Sequence, residues 1–212
     1  TGGAVMMIRI SGADAIAIVD GMFRGREPLS DAKGYTLHYG HIMDGDRVID
    51  DVVIALFRAP HSYTGEDVVE ITTHGSDYIT SEVLRLAIER GARMATAGEF
   101  TQRAFLAGKM DLSRAEAVAD IIASDSRWSH DVAQRQMRGG YSAHLATLRE
   151  GLLRLCTLLE LELDFSEEDV EFADREQLQR MLRTTDEVVV RLMESFRVGN
   201  AIREGVNVAI VG

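Results

Sequence analysis

Apolar and polar positions follow two rhythms along this chain, and the change falls close to residue 112. In the first half, short β-branched runs alternate with polar residues between turn-forming clusters. Val5–Ile10 reads as a strand, and Ala13–Phe23 carries apolar residues at helical spacing behind Ser11-Gly12. Gly25–Lys33 is polar, holds Pro28 and reads as a loop. Tyr35–Met43 alternates as a strand, Asp44-Gly45-Asp46 forms a turn, and a return strand runs from Val48-Ile49 through Phe57. A loop with Pro60 spans Ala59–Gly65, and Val68–Thr72 is a further strand. Asp77–Arg90 is a helix capped by Gly91, and Arg93–Thr96 a short extended piece. Phe100, Ala104, Phe105 and Leu106 give a short helix an apolar face, and Gly108-Lys109 ends it.

From Ser113 onward the period is 3.6. Ser113 and Glu116 fit a capping box, with Ser113 as N-cap of a helix extending to Met137. Gly139-Gly140 breaks it, and further helices run from Tyr141 to Phe165 and from Arg175 to Val198, separated by the acidic stretch Ser166–Asp174. The predicted architecture is an α+β domain followed by an all-α helical bundle. The last run, Val206–Val211, is a buried-type parallel strand reaching Gly212. Such a strand either ends its own domain as a C-terminal strand or opens a phosphate-binding loop, with Gly212 as the first glycine of an α/β P-loop domain.

Composition narrows this picture. No apolar run approaches the roughly 20 residues that cross a bilayer, and the N-terminal stretch lacks the basic n-region of a signal peptide. Cys156, the single cysteine, lies in an apolar run and is expected to be a small buried core residue. A cytoplasmic location fits best, and no membrane association is expected. The net charge of −11 argues against broad, non-specific nucleic-acid binding, while leaving room for a local basic patch.

Three charged residues sit where plain structure does not need them. Arg9 interrupts the apolar strand Ile8–Ile10; either it finds an anion or it faces solvent from an edge strand. Glu70 lies among Val68, Val69 and Ile71, either on a solvent face or held to accept two N–H donors side by side, as a pterin presents them. Lys109 either complements a helix C-terminus or offers a compact cation to a ligand carboxylate. His74 before Gly75 reads as a partnered turn histidine, and no metal site is expected around it.

The segments I-R-I-S-G (8–12), S-Y-T-G-E-D-V-V-E (62–70), H-G (74–75), G-E-F-T-Q-R-A-F-L (98–106), K-M-D-L-S-R-A-E-A-V-A-D-I-I (109–122) and R-E-G-V-N-V-A-I-V-G (203–212) occur in an order and spacing that resemble the MnmE/TrmE tRNA-modification GTPase family, over essentially the whole chain. The resemblance implies a tetrahydrofolate-binding and dimerisation domain over 1–112, similar in fold to the glycine-cleavage T-protein. It implies the first part of a helical domain over 113–204, and over 205–212 the first strand of an inserted G domain that would bind GTP, Mg²⁺ and K⁺. It further implies a homodimer that acts on tRNA with the FAD protein MnmG (GidA). Together they would install a (carboxymethyl)aminomethyl group at C5 of the wobble uridine, with a 5-formyl- or 5,10-methylene-tetrahydrofolate as cofactor. The family's folate contacts fall on Arg9, Glu70 and Lys109; Gly212 alone would belong to the nucleotide site, and no catalytic or metal residue is expected within the chain. One departure is Ala4-Val5-Met6-Met7 where the family carries smaller residues, and its methionines are expected to narrow that side of the pocket. The alternative is a non-catalytic dimerisation or partner-docking scaffold with a vestigial folate pocket, using the acidic 164–174 linker as its surface.

Overall fold

The computed structural model describes residues 3–164 and 175–204, which belong to two compact units, Thr1–Asp111 and Leu112–Gly212. The predicted terminal strand 206–211 with Gly212, and the acidic stretch 166–174, lie outside the described residues.

The first unit is α+β. Strands β1 (Val5–Ser11), β2 (Phe23–Gly25), β3 (Thr36–Asp44), β4 (Arg47–Phe57) and β5 (Val68–His74) form one antiparallel sheet in the order β1-β5-β4-β3-β2. Its helices are α1 (Ala15–Asp20), α2 (Asp77–Glu89) and α3 (Glu99–Leu106). The β3–β4 hairpin turns at Gly45, whose φ of 59° suits glycine, and a register shift falls at Ile42/Met43. Period-2 alternation puts Ile8, Ile42, Val52, Ile54, Leu56, Val69 and Ile71 on one face of the sheet. There they join Ile16 and Val19 of α1 and Val83, Leu86 and Ala87 of α2 in one core. Each fully buried aliphatic side chain contributes about 1.5–3 kcal/mol. Gly91, at φ 104°, caps α2, with its N–H on the Ile88 carbonyl and that of Ala92 on Ala87.

Two sequence expectations change in this unit. The helix expected over Ala13–Phe23 stops at Asp20, and Phe23–Gly25 is the edge strand β2, paired with Gly40–Ile42. Met22 and Phe23 are buried apolar residues that satisfy either period, and pairing with β3 decides between them. In α3 only Ala104 is buried, and Leu106 points out.

The second unit contains α4 (Leu112–Ala123), α5 (Arg127–Met137), α6 (Gly140–Asp164) and α7 (Arg175–Glu204). The single helix expected from Ser113 to Met137 is two. Ser126 caps α5 by accepting from the Ser129 N–H, while the Ser129 hydroxyl accepts from the Ser126 N–H. Ser113 is not an N-cap, because α4 already begins at Leu112. Its carbonyl accepts from Gln136 Nε2 at 3.1 Å, joining α5 to α4. Gly139 has φ 84°, a left-handed conformation that costs other residues strain, so the α5–α6 joint favours glycine. Cys156 is exposed rather than a core residue; on α6 its neighbour Leu155 takes the buried position.

Candidate functional site

Arg9 and Glu70, separated by 61 residues, are direct cross-strand partners on β1 and β5. Their neighbours Ile8, Val69 and Ile71 belong to the core under α1 and α2, so alternation places both charges on the opposite sheet face. The guanidinium donates from Nε to Oε1 at 2.8 Å, and Nη2 stands 2.6 Å from the same oxygen in the ion pair. The pair is half-buried, with side chains 34% and 20% exposed. The Tyr63 and Phe100 rings flank the guanidinium, each centroid 5.6 Å from its central carbon.

Both readings of Arg9 left open by the sequence therefore hold in part. Its strand is an edge strand, yet the side chain has found an anion, and that anion is Glu70. Both guanidinium nitrogens approach Oε1, and Oε2 has no hydrogen-bond partner among the described residues. A carboxylate with one oxygen anchored and the other free can accept a donor from a ligand.

Lys109 is placed differently. Gly108, at φ 68°, ends α3 in a Schellman motif: Gly108 N–H bonds the Phe105 carbonyl and Lys109 N–H the Ala104 carbonyl, both at 2.9 Å. The Lys109 ammonium donates to the Pro60 carbonyl, beside Gly65, and so ties the end of α3 to the 58–67 loop. No contact joins it to Arg9 or Glu70. His74 ends β5 and is partnered, its backbone N–H and Nδ1 both meeting the buried Asp50 carboxylate at 2.8 and 2.7 Å.

A cavity of about 490 Å³ runs along the edge strand β1. Arg9 and Phe100 line it from the charged side, and Ile10, Ile18 and Leu84 from the apolar side. That volume is in the range of small-ligand sites. Met7 also lines it, so the bulky residue noted in the sequence does face this space.

Around the pair stands a charged network that the sequence reading passed over. Arg103 of α3 donates from Nη1 to both Glu66 oxygens, at 3.0 and 3.2 Å, and from Nη2 and Nε to Glu99 Oε1, at 3.0 and 3.1 Å. Arg93 donates to both Glu99 oxygens, and the Thr96 N–H adds another bond. Arg93, then the Thr96 amide, hold the Glu99 carboxyl far below the usual carboxylate range. Glu66 and then Glu99 raise the Arg103 guanidinium. The spacing of Glu99 and Arg103, four residues apart on a helix, is the signal that could have drawn attention to them.

These observations define an α+β unit with a charged pair between two aromatic rings beside a cavity, followed in the chain by a helical unit. Comparison with known proteins identifies the family. Residues 1–109 match the family model described as the GTP-binding protein TrmE N-terminus, and residues 112–207 match the MnmE helical domain. The chain is 58% identical over its whole length to the tRNA modification GTPase MnmE of Bacteroides fragilis. It is 56% identical to that of Bacteroides thetaiotaomicron, again over its whole length, and 53% identical over 99% of its length to that of Flavobacterium johnsoniae. The chain belongs to the MnmE/TrmE family of tRNA-modification GTPases. It spans 46% of the length of each of these relatives.

Proposed function

We propose that this chain carries the folate-binding and dimerisation part of a tRNA-modifying GTPase. The observation behind the reading is the Arg9–Glu70 pair, half-buried between Tyr63 and Phe100 beside the β1 cavity. Its donor set suits a reduced pterin. Glu70 Oε2 accepts an N–H of the pterin, Arg9 keeps Oε1 occupied and the carboxylate ionised and oriented, and the aromatic rings keep water from the pair. Lys109, at the end of α3 with its ammonium on the Pro60 carbonyl, is the cation that would meet the ligand's carboxylate end. When bound, a 5-formyl- or 5,10-methylene-tetrahydrofolate supplies the one-carbon unit.

In the whole protein this unit works with a G domain that begins at the Val206–Gly212 run and uses GTP, Mg²⁺ and K⁺. MnmG is the partner and the wobble uridine of tRNA the substrate, in the cytoplasm. Among the described residues, no helix is long and apolar enough to cross a membrane. Likeness to the T-protein fold and homodimerisation belong to the same reading. The dimer reading is supported by the open sheet face, where Leu37, Tyr39 and Val53 lie exposed on the neighbouring strands β3 and β4.

Calorimetric titration of the chain with 5-formyltetrahydrofolate tests the reading. We expect binding in the micromolar range or tighter, and a loss of at least about tenfold in Glu70→Ala, as for removal of one hydrogen bond to a charged group. An absence of binding, or undiminished affinity in Glu70→Ala, removes the assignment. Light scattering that finds a monomer at all accessible concentrations removes the dimer.

A further inference from the structure

The two rings that flank Arg9 belong to different segments, each anchored at one fully buried residue, Thr64 in the loop and Ala104 in α3. Tyr63 lies in the 58–67 loop and Phe100 in α3, whose only buried residue is Ala104. What joins those segments is polar. Arg103 reaches from α3 to Glu66 of the loop, while Glu66 Oε2 also accepts from Ser11 Oγ at 3.0 Å, at the end of the strand that carries Arg9. On the other side Arg103 shares Glu99 with Arg93, so the connection into α3 is tied back to residues 93–96. The Tyr63 and Thr101 hydroxyls lie 3.0 Å apart, and the Lys109 ammonium on the Pro60 carbonyl adds a further polar link at the far end of α3. Arg103 itself stands on the cavity wall, and among the described residues no hydrogen bond or ion pair joins it to Arg9 or Glu70.

We infer that Arg103 is a positioning residue for the ligand site: its fork, closed on Glu66 and Glu99, sets the separation of Tyr63 and Phe100 and thereby the pose of the Arg9–Glu70 pair. This inference rests on the folate reading for its ligand, but its geometry stands apart from it. A planar fork spanning two carboxylates fixes distance and direction together, which an ammonium on a flexible stem does not. The low proton affinity of Glu99 keeps that arm ionised across the physiological range.

The test uses four variants of the whole chain: Arg103→Met, Arg103→Lys, Arg9→Met and Arg9→Met with Arg103→Met. Arg103→Met is expected to weaken 5-formyltetrahydrofolate binding about tenfold alone and less than about twofold in the Arg9→Met background, because coupled residues are not additive. Arg103→Lys retains the charge and loses the fork, and is expected to stay within about threefold of Arg103→Met. Full affinity in either Arg103 variant, or the same loss in both backgrounds, overturns the proposal.

A ligand-free measurement keeps this failure distinct from failure of the folate reading. In ¹⁵N-edited spectra of the arginine side chains, the Arg9 Nε–H signal is expected to be sharp and slowly exchanging. In Arg103→Met it should broaden, while the amide signals of β3 and β4 stay in place. An Arg9 signal indifferent to Arg103 overturns the clamp whatever the ligand does. If the unaltered chain takes up no 5-formyltetrahydrofolate, the folate reading falls, and this spectrum alone decides the clamp.

Discussion

In the sheet unit Val52, Ile54, Leu56, Val69 and Ile71 are at most 1% exposed, whereas in the helical unit Leu152, Leu153, Val189 and Val190 are 41–49% exposed. A sheet face covered by two helices closes its own core, since alternate residues of the strands join α1, α2 and the 22–32 segment in one cluster. The helices α4 to α7 have the periodicity of a bundle, yet their described side chains bury only Ala117, Ala133 and Leu155. Periodicity specifies which side of a helix is apolar; how much of that side is covered is a separate matter. The ligand-type chemistry sits with the unit that closes its own core, which lets a charged pair be held against rigid strands.

Two truncations of similar chemistry measure that difference, and they carry the largest expected effect. Ile71→Ala, in the fully buried centre of β5, is expected to cost about 2–5 kcal/mol of unfolding free energy. Leu153→Ala, on the half-open face of α6, is expected to cost less than about 1 kcal/mol. Urea denaturation followed by circular dichroism reads both. Equal costs would mean that the α6 face is covered in solution, and the contrast between the units would fail.

A smaller effect sharpens the comparison within the helical unit, where capping replaces core packing. Ser126→Ala removes the acceptor for the Ser129 N–H and is expected to cost about 1 kcal/mol, with fraying confined to the first turn of α5. Amide exchange at residues 127–130 locates the fraying. Unchanged exchange there would show that the α4–α5 contacts hold the turn without the cap.

The same two residues show where sequence reasoning reached its limit. Residues 113–137 contain no proline or glycine, so nothing in their apolar period marks a break; the break at Ser124–Ser126 depends on Ser126 and Ser129 trading hydrogen bonds, a pattern equally common on helix surfaces. The hairpin was legible because Asp44-Gly45-Asp46 is local chemistry between two alternating runs. Arg9 and Glu70 were each conspicuous as charges inside apolar strands, but alternation fixes the face of a residue and says nothing about register. Only the β1–β5 pairing brings them opposite one another. Lys109 was noted at a helix end, where a cation is also ordinary, and the fold carries it to Pro60. The Glu66–Arg103–Glu99 network stayed hidden because its members lie in polar segments, where charge is ordinary.

The smallest effect is a pH dependence that should belong to the sheet unit alone. The Glu99 carboxyl, 11% exposed, is held below its ordinary range by Arg93, the Thr96 amide and Arg103. A carboxyl whose proton affinity is lowered by folding stabilises the folded state at pH values above its unfolded pKa of about 4.3, and that contribution fades as the pH falls toward the folded value. Glu99→Gln should therefore melt below the unaltered chain at pH 7, with a gap that narrows steadily as the pH drops beneath about 4.3. In the helical unit the Arg154–Glu150 pair is an exposed i,i+4 contact at 2.6 Å, of the kind that contributes little. Glu150→Gln should leave the melting temperature essentially unchanged at both pH values. Scanning calorimetry of the two variants from pH 7 to pH 3 separates them. A Glu99→Gln gap that persists undiminished in acid would show that the side chain acts through its shape and hydrogen bonds and not through its charge, and the ionic description of the clamp would have to be abandoned.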